Sequence, residues 1–168
     1  VKAMEHAHFG RVETRALDGA GVVWEGAARL GDAEVEARLW AGPSGEPDHE
    51  ELDALAARLS DLPTLDATAR PALRAYLRED RSFVDHHIEE LEDSETVARL
   101  VRDAAGEEVG ADPFAAAMRL SGVGLWLSGV SDGPPVILDY VFDPELSDQI
   151  LAVKLTRDGA VVSVDWES

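Results

Sequence analysis

Two blocks of period-two alternation, one near each end of the chain, bracket a middle in which apolar residues recur every three to four positions. This pattern constrains the fold most, because strand side chains alternate between faces while helix side chains return to one face about every 3.6 residues. In the first block Val22, Trp24, Gly26, Ala28 and Leu30 alternate with more polar neighbours. Gly31-Asp32 supplies a hairpin turn, after which Ala33, Val35, Ala37 and Leu39 alternate with Glu34, Glu36 and Arg38. His8-Phe9-Gly10-Arg11-Val12 reads as a further short strand. Such rows give a sheet with one buried and one wet face.

The middle is helical. Leu52, Leu55, Ala56, Leu59 and Leu62 form an apolar stripe that Asp48 can cap and Pro63 stops. A second helix begins near Asp66 or Thr68, buries Leu73, Tyr76 and Leu77, and tolerates Pro71 only if that residue lies in the first turn. Val84, Ile88 and Leu91 make a third stripe, and Val97, Leu100, Val101 and Ala104 a fourth. Asp112-Pro113 then opens a short helix through Phe114, Ala117 and Met118. In the closing block Val123, Leu125 and Leu127 alternate, as do Val136, Leu138, Tyr140 and Phe142. Leu151, Val153 and Leu155 turn through Asp158-Gly159 into Val162, Val164 and Trp166. Strands, helices, strands in that order predict a single α+β domain over 1–168, with strands about 6–41, helices about 48–120 and strands about 122–167. The expected architecture is an antiparallel sheet, built from N-terminal and C-terminal meanders, with the central helices on one face.

Charge limits the partners. Lys and Arg number 15 against 34 Asp and Glu, a net charge of −19 that disfavours nucleic acid and anionic membrane surfaces. The absence of cysteine removes disulfides, thiolate metal sites and thiol catalysis, and suits a reducing cytoplasm. No leader pattern opens the chain, and no apolar run approaches the roughly 18 residues of a membrane span.

The histidines are the candidate ligands. His6 and His8 share one face if both lie on a strand, and His86, His87 and Glu90 fall within one stretch of helix, so His6, His8, His86, His87 and Glu90 are the residues that could converge on zinc. The simpler interpretation leaves His86 and His87 as helix-surface or hydrogen-bonded half-buried side chains. The acidic run from Glu79 to Glu95 is a solvated helix face or, through Glu89, Glu90, Glu92 and Asp93, a docking surface for a basic protein. No nucleophile elbow, phosphate loop or dinucleotide fingerprint is present. Gly122 and Gly124 flank Val123 at a strand start and are expected to allow close backbone packing. Trp40 and Trp126 fall opposite their strands' apolar rows, which puts an aromatic patch on the second face of the sheet.

Several stretches, taken together, resemble a known family. His8-Phe9-Gly10, the run His86-His87-Ile88-Glu89-Glu90-Leu91, the run from Leu138 through Asp139-Tyr140-Val141-Phe142 to Ser147-Asp148, and the closing Asp158-Gly159 with Glu167-Ser168 are similar to bacterial proteins of the domain of unknown function 2004 family. The resemblance implies a bacterial, single-domain protein, makes His86, His87 and Glu90 its family-linked site residues, and carries no established activity. The net charge of −19 and the absence of a catalytic signature lead to the expectation of a non-enzymatic cytoplasmic interaction module without a cofactor, binding a basic protein in the manner of an immunity protein or antitoxin. The alternatives are a metal-dependent hydrolase built on the histidines, and a structural homodimer.

Overall fold

A computed structural model of the chain describes residues 3–14, 17–44, 46–91, 111–128, 133–142 and 147–167; the side chains at 88–91 and 111–112 lie outside that description. A two-stranded hairpin, β1 (Ala3–His6) and β2 (Gly10–Glu13), precedes the main sheet. That sheet has six strands in sequential order: β3 (Gly21–Leu30), β4 (Ala33–Ala41), β5 (Arg119–Trp126), β6 (Val136–Val141), β7 (Ile150–Leu155) and β8 (Val161–Glu167). Between β4 and β5 run α1 (His49–Ser60), α2 (Leu62–Glu79), α3 (Ser82–Leu91) and α4 (Ala111–Ala117). The two meanders thus join into one continuous sheet. Their junction is parallel, Ala37 pairing with Val123 and Leu39 with Leu125, so the sheet is mixed where the sequence predicts antiparallel pairing throughout. A parallel neighbour needs a long crossover, and the central helices provide it.

The alternating rows of β4 to β7 face as expected, whereas in β8 the expected Val162 is exposed and Val161 packs on the core in its place, because the pairing with β7 shifts register between Lys154 and Leu155. Val35, Ala37 and Leu39 of β4, Val123 and Leu125 of β5, Val136, Leu138 and Tyr140 of β6, and Leu151, Val153 and Leu155 of β7 are buried in one cluster with the helices. Leu52, Leu55 and Leu59 of α1 and Leu62, Leu65, Ala69, Leu73 and Leu77 of α2 meet them. Burial of each large side chain contributes roughly 1.5–3 kcal/mol before entropy is counted. Asp48 caps α1 through a hydrogen bond from the Glu50 amide (3.1 Å), as expected.

Three local expectations need correction. The helix expected from Asp66 or Thr68 begins at Leu62, with Pro63 in its first turn, and Pro71 lies inside it. Pro71 and Ala67, whose carbonyl loses its partner there, are both exposed, so water can take the missing bond while the buried leucine face holds the two halves in one helix. The strand expected at His8–Val12 is instead the turn and second strand of the β1–β2 hairpin: Gly10, at φ +65°, adopts the left-handed backbone that the turn requires. His6 and His8 therefore do not share a strand face. Gly122 is not a point of close packing, since an added Cβ would meet nothing nearer than Glu36 O at 3.8 Å. The fourth helical stripe, Val97 to Ala104, lies outside the described residues.

Polar ties fix the layers. Arg70 donates to Asp66 (3.1 Å) and to the carbonyls of Ala115 (3.0 Å) and Met118 (2.7 Å), closing the end of α4. The Tyr140 hydroxyl also donates to Asp66 (2.7 Å), and the Arg70 guanidinium stands over its ring at 5.1 Å. Burial and the Asp66 carboxylate push the Tyr140 phenol well above its ordinary value. Buried Glu51 of α1 accepts from the Ser128 amide (2.6 Å) and hydroxyl (2.9 Å) after β5.

Candidate functional site

The hairpin delivers His6 to the first turns of α1. Phe9, buried in the hairpin turn, packs edge-on against Trp24 of β3 at 5.0 Å between ring centres. This anchors the turn, and the side chain of His6 is left only 4% exposed. Its Nδ1 accepts from the backbone amides of His8 (3.1 Å) and Phe9 (3.4 Å). A neutral imidazole carries one proton, so that proton sits on Nε2 and is donated to Asp53 Oδ1 at 2.8 Å. Asp53 is one turn beyond His49, the first residue of α1, and the two share a helix face at i and i+4. One ligand atom from each of His6, His49 and Asp53 lies within 4.8 Å of the others.

Two imidazoles and a carboxylate are a donor set that divalent transition ions accept. His49 and Asp53 are exposed and His6 is buried, so a cation here would rest on a fixed inner ligand and keep its outer side open to solvent. The hydrogen bonds at His6 set a condition. Coordination through Nε2 requires the ring proton to pass to Nδ1, and the His8 and Phe9 amides must then give up their acceptor.

Of the five residues that the sequence nominates as ligands, only His6 belongs to such a group among the described residues. His8 is exposed in the hairpin turn, its ring against Phe9 (4.9 Å) and Trp24 (5.4 Å). His86 is half-buried beside Trp166 (5.6 Å). His87, 1% exposed, sits among Phe83, Phe114 and Phe142, with Nδ1–H donating to Phe83 O (2.8 Å) and Nε2 accepting from the Ser147 hydroxyl (2.8 Å). Burial pushes its pKa below the ordinary histidine value, against the opposing effect of the Phe83 bond. Ser147 and His87 have the distance of a nucleophile and its base, but the ring leans on a carbonyl where a carboxylate would be needed to stabilise its protonated form. Ser147 also accepts from the Gln149 amide (3.2 Å), and Gln149 in turn accepts from the Trp166 indole (2.7 Å). The pair fastens the approach to β7 onto α3. Glu89 and Glu90 belong to α3 with side chains outside the description; Glu92 and Asp93 lie outside the described residues.

The residues that the sequence did not nominate, His49 and Asp53, carry a legible signal: an i, i+4 ligand pair immediately after a capping aspartate. The aromatic patch on the second sheet face is present, with Trp40 and Trp126 stacked at 4.9 Å and 7°. No helix among the described residues is long and apolar enough to cross a membrane. Comparison with protein-family models, curated proteins and solved structures finds no match.

Proposed function

We propose that the domain binds a divalent transition cation through His6 Nε2, a ring nitrogen of His49 and a carboxylate oxygen of Asp53. The observation that carries this reading is the delivery of a buried, oriented histidine to the one turn of α1 that presents a second histidine and a carboxylate at ligand spacing. Three protein ligands with solvent on the outer side is the pattern of reactive sites rather than closed structural ones, so hydrolysis is the chemistry we propose for it. When bound, such a cation supplies Lewis acidity. His49 and Asp53 would set its position on the helix, while His6 would anchor it to the hairpin. Calorimetric titration with Zn²⁺, paralleled by the visible spectrum of Co²⁺, tests the site. We expect one equivalent to bind, and His49→Ala and Asp53→Asn, both at exposed positions, to weaken binding by about tenfold or more. Absence of stoichiometric binding, or unchanged affinity in both variants, would contradict it.

A second reading, an interaction module for a basic partner in the bacterial cytoplasm, is supported by the net charge of −19. Membership in the domain of unknown function 2004 family belongs to this reading. It rests on the resemblance of the sequence stretches alone. Partner enrichment from bacterial cytosol that is present at low salt and lost at high salt is the expected result; no enrichment at either would count against it.

A further inference from the structure

The sheet face opposite the helices carries a groove of about 330 Å³, independent of the histidine cluster. Its floor is β5, where Gly122 and Gly124 omit two successive side chains on that face, and β6, which contributes Ile137 and Asp139. Trp40 and Trp126 close one end as a parallel stack. The Trp126 indole folds back over Gly124, where an added Cβ would come within 3.3 Å of its Nε1. Glycine at 124 is what lets the indole lie down, and Gly122 beyond it leaves the space open.

The charged groups around this space are unevenly matched. Arg38 of β4 is already bonded to Glu36 (2.6 Å) and lies 3.7 Å from Glu25. Lys154 of β7 pairs with Asp165 (3.3 Å) and Glu167 (3.5 Å) of β8. Asp139 alone has no hydrogen bond or ion pair to its carboxylate among the described residues, although it is half-buried on the groove floor beside Gly122. Burial, with the nearby Glu167 charge and against that of Lys154, raises its pKa to about 6. The half-buried Asp139 carboxylate lacks a protein donor among the described residues, and with Glu36 and Glu167 set against one lining cation, Arg38, the groove offers acceptors in excess of donors. Its occupant must therefore bring donors and positive charge, together with an apolar body for the tryptophans and Ile137. A flat sugar fits less well, since each indole has one face taken by the other.

We propose that this groove binds a small aliphatic amine, its ammonium group on Asp139 and Glu167 and its methylene chain along Gly122 and Gly124 beside Trp126 and Ile137. The site is distinct from the proposed cation centre, so neither depends on the other.

The test is tryptophan emission, with the Asp139 carboxyl signal by NMR, during titration with 1,4-diaminobutane at low ionic strength. 1,4-Butanediol serves as the neutral control, and a lysine-bearing tripeptide as the peptide control. We expect a saturable response to the diamine, none to the diol, and loss of about tenfold or more in affinity for Asp139→Asn. Binding should also weaken as the pH falls through about 6, where the Asp139 carboxylate, which shares the groove with Glu36, Arg38 and Glu167 and feels the charge of Lys154, takes up its proton. Gly122→Val, which fills the floor between Glu36 and Asp139 without removing either charge, should abolish the response while the circular dichroism spectrum is unchanged. An equal response to diol and diamine, an affinity indifferent to both substitutions, or binding of the peptide alone would overturn the proposal.

Discussion

His6 and His87 are both buried and both bonded at each ring nitrogen, yet they hold opposite tautomers. At His6 the Nδ1 atom accepts from two backbone amides and the proton sits on Nε2; at His87 the Nδ1 atom donates to a backbone carbonyl and Nε2 accepts. The difference that matters is where the outer nitrogen points. That of His87 meets Ser147 at the edge of an aromatic shell, whereas that of His6 meets a carboxylate whose side chain is 70% exposed. Burial alone is therefore no sign of function. A buried ring aimed at solvent-facing donors can serve a ligand; one enclosed by Phe83, Phe114 and Phe142 serves the fold.

Substitution separates the two most sharply. His87→Ala leaves a cavity in the aromatic cluster and strips the Phe83 carbonyl and the Ser147 hydroxyl of a partner, which we expect to cost about 3 kcal/mol and lower Tm by about 6–12 °C. His6→Ala removes the acceptor of two turn amides but leaves Asp53 hydrated, so the expected loss is smaller, about 2 kcal/mol and a fall in Tm of about 4–8 °C, together with complete loss of Zn²⁺ binding. Thermal melts of the two variants check the order; a larger loss for His6→Ala would reverse the assignment of structural and ligand roles.

Acidification sharpens the contrast further. His87 has a folded pKa below 6.5, so below that pH the unfolded chain takes up a proton that the folded chain refuses. The stability it contributes is complete above 6.5 and is lost as the pH falls from there toward its folded value. Melts between pH 7 and 5 should show His87→Gln losing less stability than the wild-type chain. Equal slopes would mean that His87 is free to protonate in the fold.

Much of the architecture could be read from residue order. Alternation at Val35, Ala37 and Leu39 and at Leu151, Val153 and Leu155 marks the buried rows, and Gly31 and Gly159 mark two hairpins at positive φ. The parallel β4–β5 pairing could not be read, because either strand shows the same alternation whichever neighbour it takes. Pro71 misled because propensity weighs a lone proline against the helix, while five buried residues of α2 weigh for it. For the site, His6 was legible as a candidate but its meeting with His49 and Asp53 was not, since His49 reaches it only through the hairpin's docking on Trp24. The His49–Asp53 spacing was visible on α1. What no local pattern contained was the fold that carries His6 to it.

The proposed cation centre stands or falls on one proton. Long-range ¹H–¹⁵N spectra of the histidine rings, recorded before and after one equivalent of Zn²⁺, locate it directly. We expect His6 to change from the Nε2–H to the Nδ1–H tautomer with a coordination shift at Nε2, faster exchange of the His8 and Phe9 amides, and no change at His87. A His6 ring that keeps its proton on Nε2 at full equivalence would contradict cation binding at this corner of the molecule.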